Sequence, residues 1–223
     1  TQVEEMDYEG LATKIRQIKP DVVGITTMTF TLLDVLKTVR LVKNISSEIK
    51  VVLGGPHVYI YPIETISLPE VDFLVLGEGE ISFAELVDNI HVVHNIHAVE
   101  KLKEIPGLVF KSKGQIINTG LRDFISNLDE LPPPARHLVP YKRYSSLIAK
   151  RKPITTMITS RGCPYGCAFC SRPHLGKRFR AHSAKYVVGE MERCTKLGIN
   201  EFLVYDDTFS IDRQRVLDIC DEI

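Results

Sequence analysis

The stretch Lys50-Val-Val-Leu-Gly-Gly-Pro-His57 joins a run of apolar residues to a sharp turn. A short continuous apolar run is typical of a β-strand covered on both faces, and Gly-Gly-Pro predicts a turn directly after it. Asp21-Val-Val-Gly-Ile-Thr26 and Val71-Asp-Phe-Leu-Val-Leu76 have the same character. Helix-like spacing of apolar residues lies before and between these strands and after the last one. We therefore predict an α/β domain with a doubly wound parallel sheet, which binds ligands beyond the carboxyl ends of its strands.

Composition excludes several classes of partner. The 223 residues contain 28 basic and 28 acidic side chains, so the net charge predicts no nucleic-acid footprint. No apolar run approaches the length needed to span a bilayer, and no secretory signal is present. We predict a cytoplasmic protein without a membrane or nucleic-acid partner.

Three of the five cysteines lie in one short loop, Cys163-Pro-Tyr-Gly-Cys167-Ala-Phe-Cys170. A closed structural zinc site needs four ligands, and ferredoxin clusters are held by four cysteines. Three thiolates around an iron–sulfur cluster would leave one iron open to a reactive ligand. A zinc site completed by His174 or His182 stays an alternative, and a disulfide is a weaker one. We expect the remaining cysteines, Cys194 and Cys220, to be buried in helices.

This cysteine spacing, with an aromatic residue before the third cysteine, resembles that of the radical S-adenosylmethionine enzymes. The resemblance implies that Cys163, Cys167 and Cys170 hold a [4Fe–4S] cluster, and that Phe169 lies near the adenine of S-adenosylmethionine. It also implies that the strand Pro153-Ile-Thr-Thr-Met-Ile-Thr159 begins a partial (β/α) barrel.

The same resemblance assigns charged residues around the barrel start. Asp206 and Asp207 follow the next predicted strand, Glu201-Phe-Leu-Val-Tyr205, where the family binds the methionine amino group. The alternative is that one of them caps the following helix. Arg178 and Arg180 could bind a carboxylate of the substrate or of S-adenosylmethionine, or could be solvated surface arginines.

The predicted strand ends of the first half resemble the cobalamin-binding domain of one radical-enzyme subclass, which has a flavodoxin-like fold. The resemblance rests on Gly24-Ile-Thr-Thr-Met28, Gly54-Gly-Pro-His57 and Gly77-Glu-Gly-Glu80. It implies cobalamin-binding positions, namely Thr26, Thr27, Gly54, Gly55 and Gly77. The cobalt-ligating motif Asp-x-His-x-x-Gly is absent, so we do not assign His57 to cobalt.

We predict three segments. Residues 1–104 form the cobalamin-binding-like domain, which lacks the first strand of its family and therefore suggests a chain cut at the N-terminus. Residues 105–150 form a hairpin and a proline-rich connector with Leu-Pro-Pro-Pro at 131–134. Residues 151–223 form the start of the barrel, cut at its C-terminus. The histidines at 91, 94 and 97 are expected to face solvent.

The resemblance implies an enzyme that cleaves S-adenosylmethionine reductively to a 5′-deoxyadenosyl radical, with cobalamin as a second cofactor. The outcome would be methylation, cyclisation or rearrangement of a small-molecule substrate, as in methyltransferases or the anaerobic magnesium-protoporphyrin ester cyclases. A reductant such as flavodoxin or ferredoxin would be a partner. Two alternatives are an iron–sulfur electron-transfer or redox-sensing protein and a corrinoid carrier module. Because both ends look cut, we expect residues 1–223 alone to be poorly soluble and inactive.

Overall fold

The computed structural model describes residues 6–90, 96–170 and 176–223, without the side chains of residues 96–98. The chain divides into two compact units, one from Met6 to Phe124 and the other from Ile125 to Ile223. No helix within the described ranges is both long and apolar enough to cross a membrane.

The first unit is a mixed sheet flanked by helices. Its strands pair in chain order, with β1, β2 and β3 parallel and β3, β4 and β5 antiparallel. The elements are α1 (Tyr8–Ile18), β1 (Val22–Thr26), α2 (Leu32–Ile45), β2 (Lys50–Gly54), α3 (Pro56–Ile60), α4 (Pro62–Ile66), β3 (Phe73–Val75), α5 (Gly79–Asn89), α6 (Ile96–Lys103), β4 (Leu108–Ser112) and β5 (Gln115–Asn118). The three predicted parallel strands are confirmed.

The hairpin β4–β5 is part of this sheet, which corrects its expected place in the connector. Phe73 of β3 pairs with Phe110 of β4, and Leu74 pairs with Val109. The unit boundary therefore lies after Phe124 and not at residue 104. The apolar side chains of β4 explain the difference, since Leu108, Val109 and Phe110 are at most 2% exposed.

Helices cover both faces of the sheet, as predicted for a doubly wound fold. Successive residues of a strand point to opposite faces. Val51 and Leu53 therefore pack with α1–α4, whereas Val52 packs with α5 and α6. Ten members of the two clusters have no measurable exposure, namely Val39, Val42, Val51, Leu53, Val58, Ile66, Leu74, Leu86, Leu108 and Val109. Burying each such side chain contributes about 1.5–3 kcal/mol relative to exposure.

The second unit begins a (β/α) barrel. Its elements are β6 (Thr155–Met157), β7 (Ser160–Arg161), β8 (Arg180–Ala181), α7 (Ala184–Lys196), β9 (Phe202–Val204) and α8 (Arg213–Glu222). The parallel strands β6 and β9 are joined through α7, which is a βαβ crossover. Ser183 caps α7 by accepting a hydrogen bond from the Tyr186 amide (3.1 Å), and Gly198 follows its end with φ +82°.

A buried ion pair fastens the proline-rich connector to this unit. The Arg136 guanidinium donates to the Glu190 carboxylate on α7 and to the Thr156 carbonyl on β6 (3.1 Å). The two charged side chains are 14% and 8% exposed. Because a buried charge is costly without a partner, this pair holds the connector in one position against the unit.

Gly55 has a backbone conformation that only glycine adopts readily, with φ +95° and ψ −178°. A Cβ atom there would lie 3.0 Å from the Thr27 carbonyl oxygen. We predict that Gly55→Ala lowers the free energy of unfolding by about 1–3 kcal/mol, measured by urea denaturation.

Gly54→Ala is the matched control, because a Cβ at Gly54 would lie at an ordinary 3.7 Å from the Val75 carbonyl oxygen. Its effect should stay within about 1 kcal/mol. Equal losses of stability in both variants would contradict this account of Gly55.

Candidate functional site

The carboxyl edge of the first sheet brings together four of the five residues expected to bind cobalamin. The Thr27 amide donates to the Gly54 carbonyl (2.7 Å), so the ends of β1 and β2 stay side by side. Gly55 lies against the same loop, because its added Cβ would be 3.1 Å from Thr26 Cγ2. The Thr26 side chain is exposed, whereas Thr27 is fully buried.

His57 is buried and contacts the loop that follows β1. Its amide donates to the Thr27 carbonyl (3.1 Å), and its Nδ1 lies 3.1 Å from the Thr29 hydroxyl. The ring is 7% exposed and makes a tilted contact with Tyr61. These contacts give His57 a structural role, in keeping with the decision not to assign it to cobalt.

Gly77 continues the same edge beyond β3. The parallel pairing of Gly54 with Val75 places the ends of β2 and β3 next to each other. Gly77 is exposed with φ +72°, and a Cβ there would meet no atom within 4 Å. Together with Gly54, it leaves backbone open to a ligand. Such an edge fits an extended, polar ligand segment that needs close approach to backbone groups.

The cysteine loop is open to solvent. Cys167 and Cys170 are exposed, Cys163 is partly exposed, and none of the three is in a disulfide. Gly162 is buried with φ +77°, so the loop turns sharply just before its first cysteine. The Cys170 amide donates to the Cys167 carbonyl (3.1 Å). Phe169 is 94% exposed, so its ring is not packed within the described part of the chain.

The three thiols are chemically suited to hold an iron–sulfur cluster, but they do not converge on a common centre in this structure. Among the residues described here, no three histidine, cysteine or acidic side chains meet in a metal-holding arrangement. Thiolates are the ligands that iron–sulfur clusters use. Because Cys167 and Cys170 are exposed, neither is held in a packed core that would stop the loop from closing around a cluster.

A short stem closes the chain segment that carries the cysteines. Ser160 pairs with Ala181, and Arg161 pairs with Arg180, as the antiparallel strands β7 and β8. The His182 amide adds a bond to the Thr159 carbonyl (2.9 Å). The loop therefore leaves and re-enters the unit at one place.

Asp206 binds this stem, and its expected role as a contact for S-adenosylmethionine stays a prediction. Its carboxylate accepts hydrogen bonds from the Thr159 amide (2.5 Å), the Thr159 hydroxyl (2.6 Å) and the Ser160 hydroxyl (2.7 Å). Both oxygens are thus used to join β9 to the start of β7. Asp207 is exposed and stays the candidate for the methionine amino group. Neither carboxylate caps α8, because Asp212 does so.

Arg180 is the buried member of the arginine pair expected to bind a carboxylate. Its side chain is 5% exposed, and its Nη1 donates to the Ile125 carbonyl (2.8 Å). The guanidinium therefore contacts the connector through this nitrogen. Arg178 is exposed, so it could reach a ligand carboxylate.

His182 and Asp129 form a second contact between connector and barrel start. His182 Nδ1 lies 3.1 Å from Asp129 Oδ1, and the imidazole stacks on Tyr186 with ring centroids 4.0 Å apart. Burial lowers the pKa of His182 although Asp129 opposes this. Burial alone would raise the pKa of Asp129, but hydrogen bonds from Ser183 and His182 hold it below its ordinary value. His182 is committed to these contacts, which disfavours the zinc alternative that used it.

The remaining histidine and cysteine expectations have mixed outcomes. Cys194 is 1% exposed and buried as predicted, and burial raises the pKa of its thiol. Cys220 is exposed, so the prediction of burial was wrong for it. His174, His91 and His94 lie outside the described residues, as does the side chain of His97.

The sequence did not predict three of the polar contacts that hold the second unit together. Asp129 lies in Leu-Asp-Glu-Leu-Pro, where an acidic residue in a connector was the only available signal. Arg136 and Glu190 are 54 positions apart in the sequence, so no local pattern predicts that they pair. Arg215 is 7% exposed in α8 and donates to the carbonyls of Thr159 and His182.

Family models match both units. The B12 binding domain matches residues 1–87, and the Radical SAM superfamily matches residues 157–222. An uncharacterized methyltransferase of Pyrococcus horikoshii is 38% identical over 97% of this chain. An anaerobic magnesium-protoporphyrin IX monomethyl ester cyclase of Cereibacter sphaeroides is 27% identical over 98% of it. The chain spans 46% and 35% of the lengths of these two proteins.

Solved structures share the fold. The methyltransferase TsrM of Kitasatospora setae, with cobalamin and a [4Fe–4S] cluster bound, has a TM-score of 0.70 and 17% identity. The match covers 98% of this chain and 43% of TsrM. The radical enzyme OxsB with aqua-cobalamin bound has a TM-score of 0.77 and 18% identity, covering 99% of this chain and 31% of OxsB.

The lowered pKa of His182 predicts a stability that depends on pH. The unfolded chain has a pKa near 6.5 at this residue and binds a proton more readily than the folded chain. The contribution of His182 to the free energy of unfolding is therefore fully present above about pH 6.5. It is lost as the pH falls through the lowered folded pKa, by at most about 1.4 kcal/mol per pH unit. Urea denaturation at about pH 7.5 and about pH 5.5 measures the loss.

His182→Gln should lose less stability between these two pH values than the wild type. His137→Gln is the matched control, because His137 is an exposed histidine of the same unit. An unchanged pH dependence in His182→Gln would contradict the assignment to His182.

Proposed function

Because the chain belongs to the radical S-adenosylmethionine enzymes that carry a B12-binding domain, we propose that its protein cleaves S-adenosylmethionine at a [4Fe–4S] cluster. Cys163, Cys167 and Cys170 would hold that cluster. The observation that carries the proposal is the loop itself, which brings three cysteines outside any disulfide into one segment that leaves and re-enters the unit at one hydrogen-bonded stem. Three ligands leave one coordination position for a group that is not protein.

The chain contributes ligands and geometry. When bound, the cluster supplies the electron for the cleavage, and cobalamin supplies a carrier for a methyl group or a radical reaction. Gly162 turns the backbone immediately before the first thiolate, and Asp206 fixes the strand from which the loop departs. The loop thus begins from a fixed point even though its tip is exposed.

Three exposed side chains of the second unit would contact S-adenosylmethionine. Asp207 would accept hydrogen bonds from the methionine amino group, since it follows β9 at its carboxyl end. Arg178 would pair with the methionine carboxylate. Phe169 would stack on the adenine, and its 94% exposure leaves the ring face open for this contact.

Cobalamin would bind at the carboxyl edge of β1, β2 and β3. Gly54, Gly55 and Gly77 let a ligand segment approach the backbone, and Thr26 offers an exposed hydroxyl. The buried His57 is bonded to Thr29, so cobalamin would bind without a histidine from this turn on cobalt.

The overall reaction would be methylation, or cyclisation or rearrangement, of a small organic substrate. The relative from Pyrococcus horikoshii is described as a methyltransferase and that from Cereibacter sphaeroides as a cyclase. A TsrM structure contains tryptophan as substrate together with a S-adenosylmethionine analogue. A low-potential reductant such as flavodoxin or ferredoxin would supply the electron, and the cytoplasm is the compartment that we propose.

The cluster assignment predicts that Cys167→Ala abolishes assembly. Losing one of three thiolates leaves two, which is too few for a cubane that keeps a single open iron. Iron and sulfide per chain are measured after anaerobic reconstitution. Cys220→Ala, which removes an exposed cysteine outside the loop, should keep the wild-type iron content. Full cluster content in Cys167→Ala would contradict the assignment.

The cobalamin assignment predicts that Gly54→Val weakens binding of hydroxocobalamin by about tenfold or more, because the side chain would fill the open edge between β2 and β3. The titration is followed by visible absorbance. Cys167→Ala is the control, since it should bind cobalamin like the wild type, whereas Gly54→Val should assemble the cluster normally. Wild-type cobalamin affinity in Gly54→Val would contradict the placement at this edge.

A further inference from the structure

Arg215 joins the two strands of the stem below the cysteine loop. Its Nη2 donates to the Thr159 carbonyl (2.8 Å), and its Nε donates to the His182 carbonyl (2.7 Å). Thr159 lies directly before β7, and His182 lies directly after β8. One guanidinium therefore spans both ends of the segment that carries the three cysteines.

The helix that carries Arg215 is itself fixed. Asp212 caps α8 by accepting a hydrogen bond from the Arg215 amide (3.0 Å), and Ile219 packs with Met157 and Val187 in the apolar cluster of the unit. The guanidinium also lies 5.8 Å from the ring centroid of Phe209. Arg215 is thus a rigid support for the stem, and it is only 7% exposed.

The amide, the hydroxyl and the carbonyl of Thr159 are all hydrogen-bonded. Its carbonyl accepts from Arg215 and from the His182 amide, while its amide and hydroxyl donate to Asp206. Burial lowers the pKa of the Arg215 guanidinium, and the nearby carboxylate of Asp206 opposes that shift. A charge-assisted bond on each side of one residue leaves the start of the loop little freedom.

We propose that Arg215 is a positioning residue that keeps the stem strands at one separation, so that the thiols of the loop can reach a single cluster. The inference rests on the proposed function of that loop. This role requires the planar guanidinium of arginine, because its Nε and Nη2 bond the carbonyls of His182 and Thr159 at the same time. A lysine ammonium, a point charge on a flexible chain, does not reproduce this planar geometry.

The test compares Arg215→Lys and Arg215→Gln with Arg213→Lys, which changes an exposed arginine of the same helix. Hydrogen exchange is followed in the protein without iron, at the stem amides of residues 159–161 and 180–182 and at the amides of α7. In the Arg215 variants the stem should exchange about tenfold faster or more, with α7 unchanged. Arg213→Lys should behave like the wild type.

The second readout is loss of iron to a chelator after reconstitution. Partners that orient metal ligands are worth about 10- to 100-fold in metal affinity, so we expect iron loss to be about tenfold faster in both Arg215 variants. Faster stem exchange with wild-type iron retention would overturn the positioning role, and so would unchanged stem exchange. Loss of protection spread equally over α7 would also overturn it, since the effect would not be local.

Failure of the proposed function looks different from failure of this inference. If the wild type assembles no [4Fe–4S] cluster, the function and any positioning toward a cluster both fall, whichever way Arg215→Lys behaves. If the wild type assembles the cluster and Arg215→Lys matches Arg213→Lys in both readouts, only the inference about Arg215 falls.

Discussion

Parallel pairing of strands through helical crossovers is the constraint on which both units depend. It brings successive loops to the same edge of each sheet, because every crossover returns the chain to the starting side. In the first unit this edge collects Thr26, Gly54 and Gly77 from three different loops. In the second it places Asp206, at the end of β9, against the residues that follow β6. The proposed sites at both edges are consequences of this pairing.

Hydrogen bonds within the second unit engage several of its polar side chains. Asp206, Arg180, His182 and Arg215 are all used to hold the stem or the connector. Each forms hydrogen bonds that offset the cost of burying a polar or charged group. Asp207, Arg178 and Phe169 differ from them because their side chains are exposed.

The sequence predicted those features that are encoded locally. Continuous apolar runs identified β1, β2 and β3, and the spacing of three cysteines identified the loop without any long-range information. The hairpin of β4 and β5 was also found, but its pairing with β3 was not. Local patterning shows which residues form a strand and leaves open which neighbour that strand joins.

Side-chain direction was beyond sequence reasoning at several positions. Asp206 and Asp207 are adjacent and chemically identical, yet only one is turned toward Thr159. Arg178 and Arg180 likewise differ only in which one is buried. Cys220 lies in a helix as expected, but on its exposed side. The role of Arg215 had no sequence signal, since it bonds backbone carbonyls that lie 56 and 33 positions away.

The most direct test of the central claim is electron paramagnetic resonance of the anaerobically reconstituted, dithionite-reduced protein, with and without S-adenosylmethionine. The account predicts a [4Fe–4S]⁺ signal whose g-values shift when S-adenosylmethionine is added, because the added molecule binds the iron that the three thiolates leave open. A cluster signal that is indifferent to S-adenosylmethionine would contradict the account and indicate an electron-transfer or redox-sensing protein. Absence of any cluster signal would contradict it as well.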